Sequence, residues 1–214
     1  LFAGRSAEDY EQLFDGTDDY YLGASWLAES EDLGALALTS VNYRAPEERG
    51  AADENVSSLA WYHSYNTGGF SHSLETEAAY LSGENSLVQS LSETSLSLQL
   101  NGFSAAGHSY RVNLERTDER FAPRGAAVTP DRESVDLQWG QPLAERTLAR
   151  LRLQRFRDGL SSDNISTSRI AGLNLSGLPF FSSAGRLSRL NLNADLSRQY
   201  DEDEQGSLER GLSV

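Results

Sequence analysis

Leu190-Asn191-Leu192-Asn193-Ala194-Asp195-Leu196 alternates apolar and polar residues without a break. Successive side chains of a β-strand point to opposite faces. As a strand, this stretch carries Leu and Ala on one face, Asn and Asp on the other. The same period-2 rhythm recurs along nearly the whole chain. It predicts ten strands, at 20–28, 34–44, 56–66, 70–81, 94–104, 108–117, 133–141, 146–156, 168–178 and 186–200, with a further start at 207–214. Residues 1–19 read as an acidic, irregular N-terminal loop or segment, in which Ala7 to Phe14 suits a short helix; residues 20–214 carry the strands.

The gaps between these segments alternate in length. Glu29 to Leu33, Asn66 to Gly69, Ala105 to Gly107, Pro142 to Glu145 and Pro179 to Gly185 are short. Ala45 to Asn55, Ser82 to Glu93, Asp118 to Arg132 and Arg157 to Thr167 are long, and Tyr200 to Gly206 is acidic. Short turns on one side and longer loops on the other mark an antiparallel transmembrane β-barrel of about ten or more strands. A soluble β-sandwich also has many short strands, but nothing in its architecture makes loop length alternate.

Parity sorts the residues of each strand. Leu96, Leu98 and Leu100 oppose Ser97, Gln99 and Asn101; Val135, Leu137 and Trp139 oppose Asp136 and Gln138; Ala149, Leu151 and Leu153 oppose Arg150, Arg152 and Gln154. In a sandwich the apolar faces would form a core; in a barrel they would meet lipid, with the polar faces turned to the lumen. The lumen candidates are then Glu75, Glu77, Arg111, Glu115, Asp136, Arg150, Arg152, Arg189 and Asp195. Opposite charges on adjacent strands form cross-strand pairs. Such a set makes either a self-neutralising wall or a field across a wet pore that selects solutes, favouring anions where arginine is in excess.

Aromatics fall near both strand ends: Tyr20, Tyr43, Tyr80, Phe121, Phe156 and Tyr200 at the long loops, and Trp26, Tyr65, Phe70, Phe103, Trp139, Phe180 and Phe181 at the short turns. Two such levels match interfacial girdles; aromatic residues are also simply common in strands. Arg116, Arg155 and Arg198 share the parity of the apolar residues before them and sit at long-loop ends. There they are candidates for contact with lipopolysaccharide phosphates through the guanidinium fork, or for snorkelling to the interface without specific binding.

Composition narrows the function classes. The net charge of −14 over 214 residues excludes nucleic-acid binding by bulk electrostatics. All 18 basic residues are arginine, a bias that multi-donor contacts or genome composition would equally produce. Without cysteine there are no disulfides or thiolate metal sites. No apolar run approaches the roughly 20 residues of a transmembrane helix, which is uninformative for strands apolar on one side only. His63, His72 and His108 have no metal-ligand spacing, and no phosphate-binding glycine motif is present. The acidic run Asp201 to Glu204 lacks a calcium-loop spacing and reads as a solvated loop. No cofactor, metal site or catalytic constellation is expected, and the chain does not read as an enzyme.

With these residues in view, the chain resembles the outer-membrane β-barrel proteins of Gram-negative bacteria over about residues 20–200. Arg120-Phe121-Ala122-Pro123-Arg124-Gly125, followed by Asp131-Arg132-Glu133 and a new strand, looks like a loop-and-strand element of some large members. The resemblance implies the bacterial outer membrane as location, with lipopolysaccharide and other envelope proteins as partners. Members serve as pores, exporters, secretion channels or scaffolds. Two departures stand out: Tyr20 would start at the outer surface, so an upward strand is missing or hidden in 1–19, and Leu212-Ser213-Val214 lacks a terminal aromatic. A segment of a larger barrel is therefore expected, with a small closed barrel of ten to twelve strands as the alternative. Three functional readings follow: a channel, porin or export pore for polar solutes or polymer; a non-transporting outer-membrane scaffold or surface receptor; and a soluble β-sandwich adhesion module.

Overall fold

The computed structural model describes residues 2–5, 20–45, 52–85, 88–123, 128–162, 165–181, 187–201 and 204–213. Its strands are β1 (Phe2–Arg5), β2 (Tyr20–Ser30), β3 (Gly34–Ala45), β4 (Ala52–Thr67), β5 (Phe70–Asn85) and β6 (Val88–Ser104). They continue as β7 (Ser109–Thr117), β8 (Arg132–Ala144), β9 (Thr147–Asp158), β10 (Ser166–Phe181), β11 (Leu187–Asp201) and β12 (Glu204–Ser213). All twelve belong to one sheet in which each strand is hydrogen-bonded to its sequence neighbours. This is the simplest answer to the backbone's need for partners: each strand satisfies its N–H and C=O groups with the strand it has just turned away from. β1 supplies the strand before Tyr20 that the topology requires. The expected helix over Ala7 to Phe14 lies outside the described residues, as does part of the acidic run Asp201 to Glu204.

Two loop expectations are corrected. Ser82 to Glu93, read as a long loop, is mostly strand: only residues 86–87 separate β5 from β6. The stretch from Ala45 to Asn55 shortens to residues 46–51. Apolar alternation fades in both, and pattern reading stops where it fades. Backbone pairing continues, because a polar strand in water satisfies its backbone as well as an amphipathic one does. The Asp118 to Arg132 connection stays long, with Pro123 and Pro130 unable to donate to a ladder.

The chain divides into two compact units: residues 1–63, 75–97 and 116–131, and residues 64–74, 98–115 and 132–214. In the first unit, β2, β3 and β4 align Trp26, Leu38 and Leu59 in one cross-strand row. These three are 57%, 50% and 45% exposed. Toward the other end of the same face the rows turn polar. Ser40 and Ser57 lie 3.2 Å apart, Asn55 Nδ2 donates to Ser40 Oγ at 3.3 Å, and Asn42 Nδ2 donates to Asp53 Oδ1 at 3.1 Å. An apolar band thus ends in a hydrogen-bonded polar zone.

In the second unit β8 to β11 pair in register with two interruptions, one between Pro142 and Ala144 at the β8–β9 turn and one within β10. Leu175 pairs with Leu192, but Leu178 pairs with Leu190, so β10 carries one extra residue. Gly177 absorbs it with φ +74, and a Cβ there would stand 1.9 Å from the Arg146 carbonyl oxygen. The bulge restores Leu178, of the opposite parity to Leu175, to the face of Leu190.

Candidate functional site

The polar face of the second unit lines a cavity of about 900 Å³. Alternation puts every second residue there, and register sets which of them meet. One row reads Gln138, Arg152, Gly172 and Asp195 across β8 to β11; the next reads Gly140, Arg150, Asn174 and Asn193. Arg111, Arg150, Arg152 and Asp195 all line the cavity.

Asp136 organises the wall behind it. Its carboxylate accepts from Arg152 Nε at 3.2 Å and Nη2 at 2.7 Å, from Gln154 Nε2 at 3.1 Å and from Gln138 Nε2 at 3.4 Å. The two guanidinium bonds form the bidentate fork that fixes orientation as well as charge. The pair is asymmetric: the Asp136 side chain is 14% exposed and that of Arg152 is 51% exposed. The anion is consumed inside the wall, while the cation keeps an open side toward the cavity. Arg111 Nε is held by Asn101 Oδ1 at 2.9 Å, and Asn101 Nδ2 in turn reaches Ser73 Oγ at 3.4 Å. Asn174 donates to Asn193 across the β10–β11 pair. Asp195 leans over Gly172, where a Cβ would come within 2.7 Å of its Oδ1.

Of the nine lumen candidates, four therefore line one cavity and Asp136 stands directly behind. Arg189 is registered with Pro179, beyond the bulge, and Glu115 lies near the end of β7; neither lines the cavity. Glu75 and Glu77 belong to the first unit, where their charges act on Tyr62. Sequence reasoning missed the uncharged members Asn101, Gln138, Gln154, Asn174 and Asn193. Parity placed them on the polar face, but an amide alternating with leucine carries no mark of whether it meets a neighbour or plain solvent.

The opposite face of the same strands is bare and apolar. Leu137, Trp139, Leu151, Leu153, Leu173 and Leu196 are 39–46% exposed. Arg155 and Arg198 stand on this face in one row, with Arg169 between them. Arg116, near the end of β7, is exposed and belongs to the first unit. At the short-turn end, Tyr65, Phe70, His72 and Tyr110 cluster, with His72 Nδ1 2.5 Å from the Tyr110 hydroxyl and 4.6 Å between the Tyr65 and His72 rings. The Tyr110 ring lies across Gly102, where a Cβ would come within 2.2 Å of it. The other aromatic expectations divide. Phe103 has the parity of Asn101 and borders the cavity, Phe156 is registered with Ser134 on the polar face beneath Arg132, and Phe121 is buried. These three do not form part of an outward girdle.

Outside the strands, the long connection after β7 is tied at its base. Asp118 Oδ2 accepts from the Thr94 hydroxyl at 2.6 Å and the Thr94 N–H at 2.8 Å, and the Asp118 carbonyl accepts from Asp131 N at 3.0 Å. The Thr94 hydroxyl, then the Thr94 amide, hold the Asp118 carboxyl below its ordinary value. Arg120 pairs with Glu93 at 2.6 Å.

A sheet with a hydrogen-bonded polar face and an exposed leucine face inverts the rule for soluble domains, which bury the apolar side. In lipid the inversion is the stable arrangement, because each strand satisfies its backbone against its neighbours. The fold is that of an antiparallel transmembrane β-barrel wall. Comparison with solved structures returns OccK2 (OpdF) of Pseudomonas aeruginosa, determined in complex with glucuronate, at 13% identity and a TM-score of 0.43, over 98% of this chain and 67% of that one. A BenF-like porin from Pseudomonas fluorescens Pf-5 aligns at 11% identity and a TM-score of 0.44, over 94% of this chain and 64% of that one. The chain thus spans about two thirds of the length of each. No protein-family model and no curated protein sequence matches.

Proposed function

We propose that this chain forms the wall of a bacterial outer-membrane channel that passes small polar solutes, with a preference for anions and without covalent catalysis. The observation that carries the reading is the asymmetry of the Asp136–Arg152 pair. A structural wall that merely neutralised itself would bury both partners equally. Here the carboxylate is saturated with four hydrogen bonds while the guanidinium stays half exposed beside a second open arginine, Arg150. The cavity lining counts Arg111, Arg150 and Arg152 against Asp195, a positive local balance, although the whole chain carries −14.

The test is single-channel recording in planar bilayers under a salt gradient. Wild-type protein conducts and its reversal potential lies on the anion side; Arg150→Glu with Arg152→Glu moves it to the cation side. A protein that inserts but carries no current would be a scaffold or receptor instead. One that stays monomeric and folded without detergent would return the soluble reading.

A further inference from the structure

We infer that Arg155, Arg169 and Arg198 form a binding site for the phosphate headgroup of a membrane lipid on the outward face of β9 to β11. The inference rests on the reading of this chain as a membrane barrel. Register carries it: Arg155 pairs with Arg169 and Arg169 pairs with Arg198, so three arginines stand in one row on consecutive strands. Strands are about 4.8 Å apart, so the row spans about 10 Å from end to end. That suits a phosphate gripped by more than one arginine fork.

The surroundings select a lipid over a free ion. One row toward the short-turn end, register aligns Leu137, Leu153, Ala171 and Leu196. This apolar floor and the three arginines line one hollow of about 510 Å³. A headgroup held at the row would lay its chains along the floor. One row toward the long-loop end, Glu133, Arg157 and Thr167 are aligned, with Glu133 3.9 Å from Arg157. Arg169 has no counterpart among the arginines that parity and position single out, since it opens a strand instead of closing one.

The experiment uses the full chain in detergent micelles and in neutral phosphatidylcholine vesicles, with diphosphoryl lipid A and its dephosphorylated form as probes. Native mass spectrometry reads lipid retention. Wild-type protein is expected to retain the diphosphoryl form about tenfold better than the dephosphorylated one, a difference that Arg155→Gln, Arg169→Gln and Arg198→Gln together abolish. Arg169→Gln alone, the central position, should remove most of the preference and serves where the triple variant folds poorly. Equal retention of both lipids by wild-type protein, an unchanged preference in the variants, or displacement by millimolar inorganic phosphate each overturns the site. Failure of wild-type protein to enter vesicles overturns the membrane reading on which it rests; entry without phosphate discrimination overturns the lipid site alone.

Discussion

The two faces of β8 to β11 are built from the same four strands and solve opposite problems. On one face polar side chains bond to one another, and a single carboxylate, Asp136, gathers four donors. On the other, leucines stand exposed. In water the second face would be unstable and the first unremarkable. The contrast teaches that the organising medium of this sheet is lipid: side-chain hydrogen bonds order the wet face, whereas the dry face requires only that charge be absent from its middle.

The sharpest way to break that contrast is to exchange chemistry across the sheet. Leu151→Arg places a cation in the middle of the apolar face and is expected to cost about 2–4 kcal/mol, read from urea unfolding in lipid vesicles. A cost near zero would mean that this face is wet. Gly177→Val comes next. It forces a β-branched residue into φ +74 and against the Arg146 carbonyl. The expected loss is about 1–3 kcal/mol, with the Leu178–Leu190 register weakened in amide exchange. If Val is tolerated without change, the bulge is not what restores the apolar face.

Asp136→Asn probes the wet face more gently. Arg152 is half exposed, so the stability change should be at most about 1 kcal/mol. The reversal potential under a salt gradient should move further toward anions, because a negative charge leaves the wall while Arg152 stays. A shift toward cations would contradict the assignment of Arg152 to the lumen.

The smallest effect lies at Asp118, beyond the strands. Its carboxyl is held below the ordinary value by Thr94. The stabilisation is therefore fully present above the unfolded carboxyl pKa of about 3.9 and is lost as pH falls through the lower folded value. Amide exchange at Thr94, corrected for its intrinsic pH dependence, should accelerate only below about pH 4 and lose that acid step in Asp118→Asn. An acid step that persists in the variant would assign it to another group.

Much of the fold was legible as sequence because period-2 alternation is a direct image of a surface with two unlike sides. Leu190 to Leu196 declared its two faces without any partner, and each strand from β2 to β11 overlaps a segment that alternation marked. Strand ends were not legible where both sides are polar, as at Ser82 to Asn85. There hydrogen bonding continues without hydrophobic patterning. Of the site, parity found Arg111, Arg150, Arg152 and Asp195, because charge on an otherwise apolar strand stands out. It did not find Gln138 and Gln154 as partners of Asp136, since an amide reads the same whether solvated or engaged.

By itself the sequence determined which residues share a strand face, because that depends only on the geometry of one extended chain. It also determined the acidic balance and the absence of thiol chemistry. Tertiary structure decided who stands beside whom. Arg155, Arg169 and Arg198 lie in three separate segments, and only the register of β9, β10 and β11 makes them a row. Register is a relation between strands, fixed by turns and by the extra residue near Gly177. No strand carries that information alone.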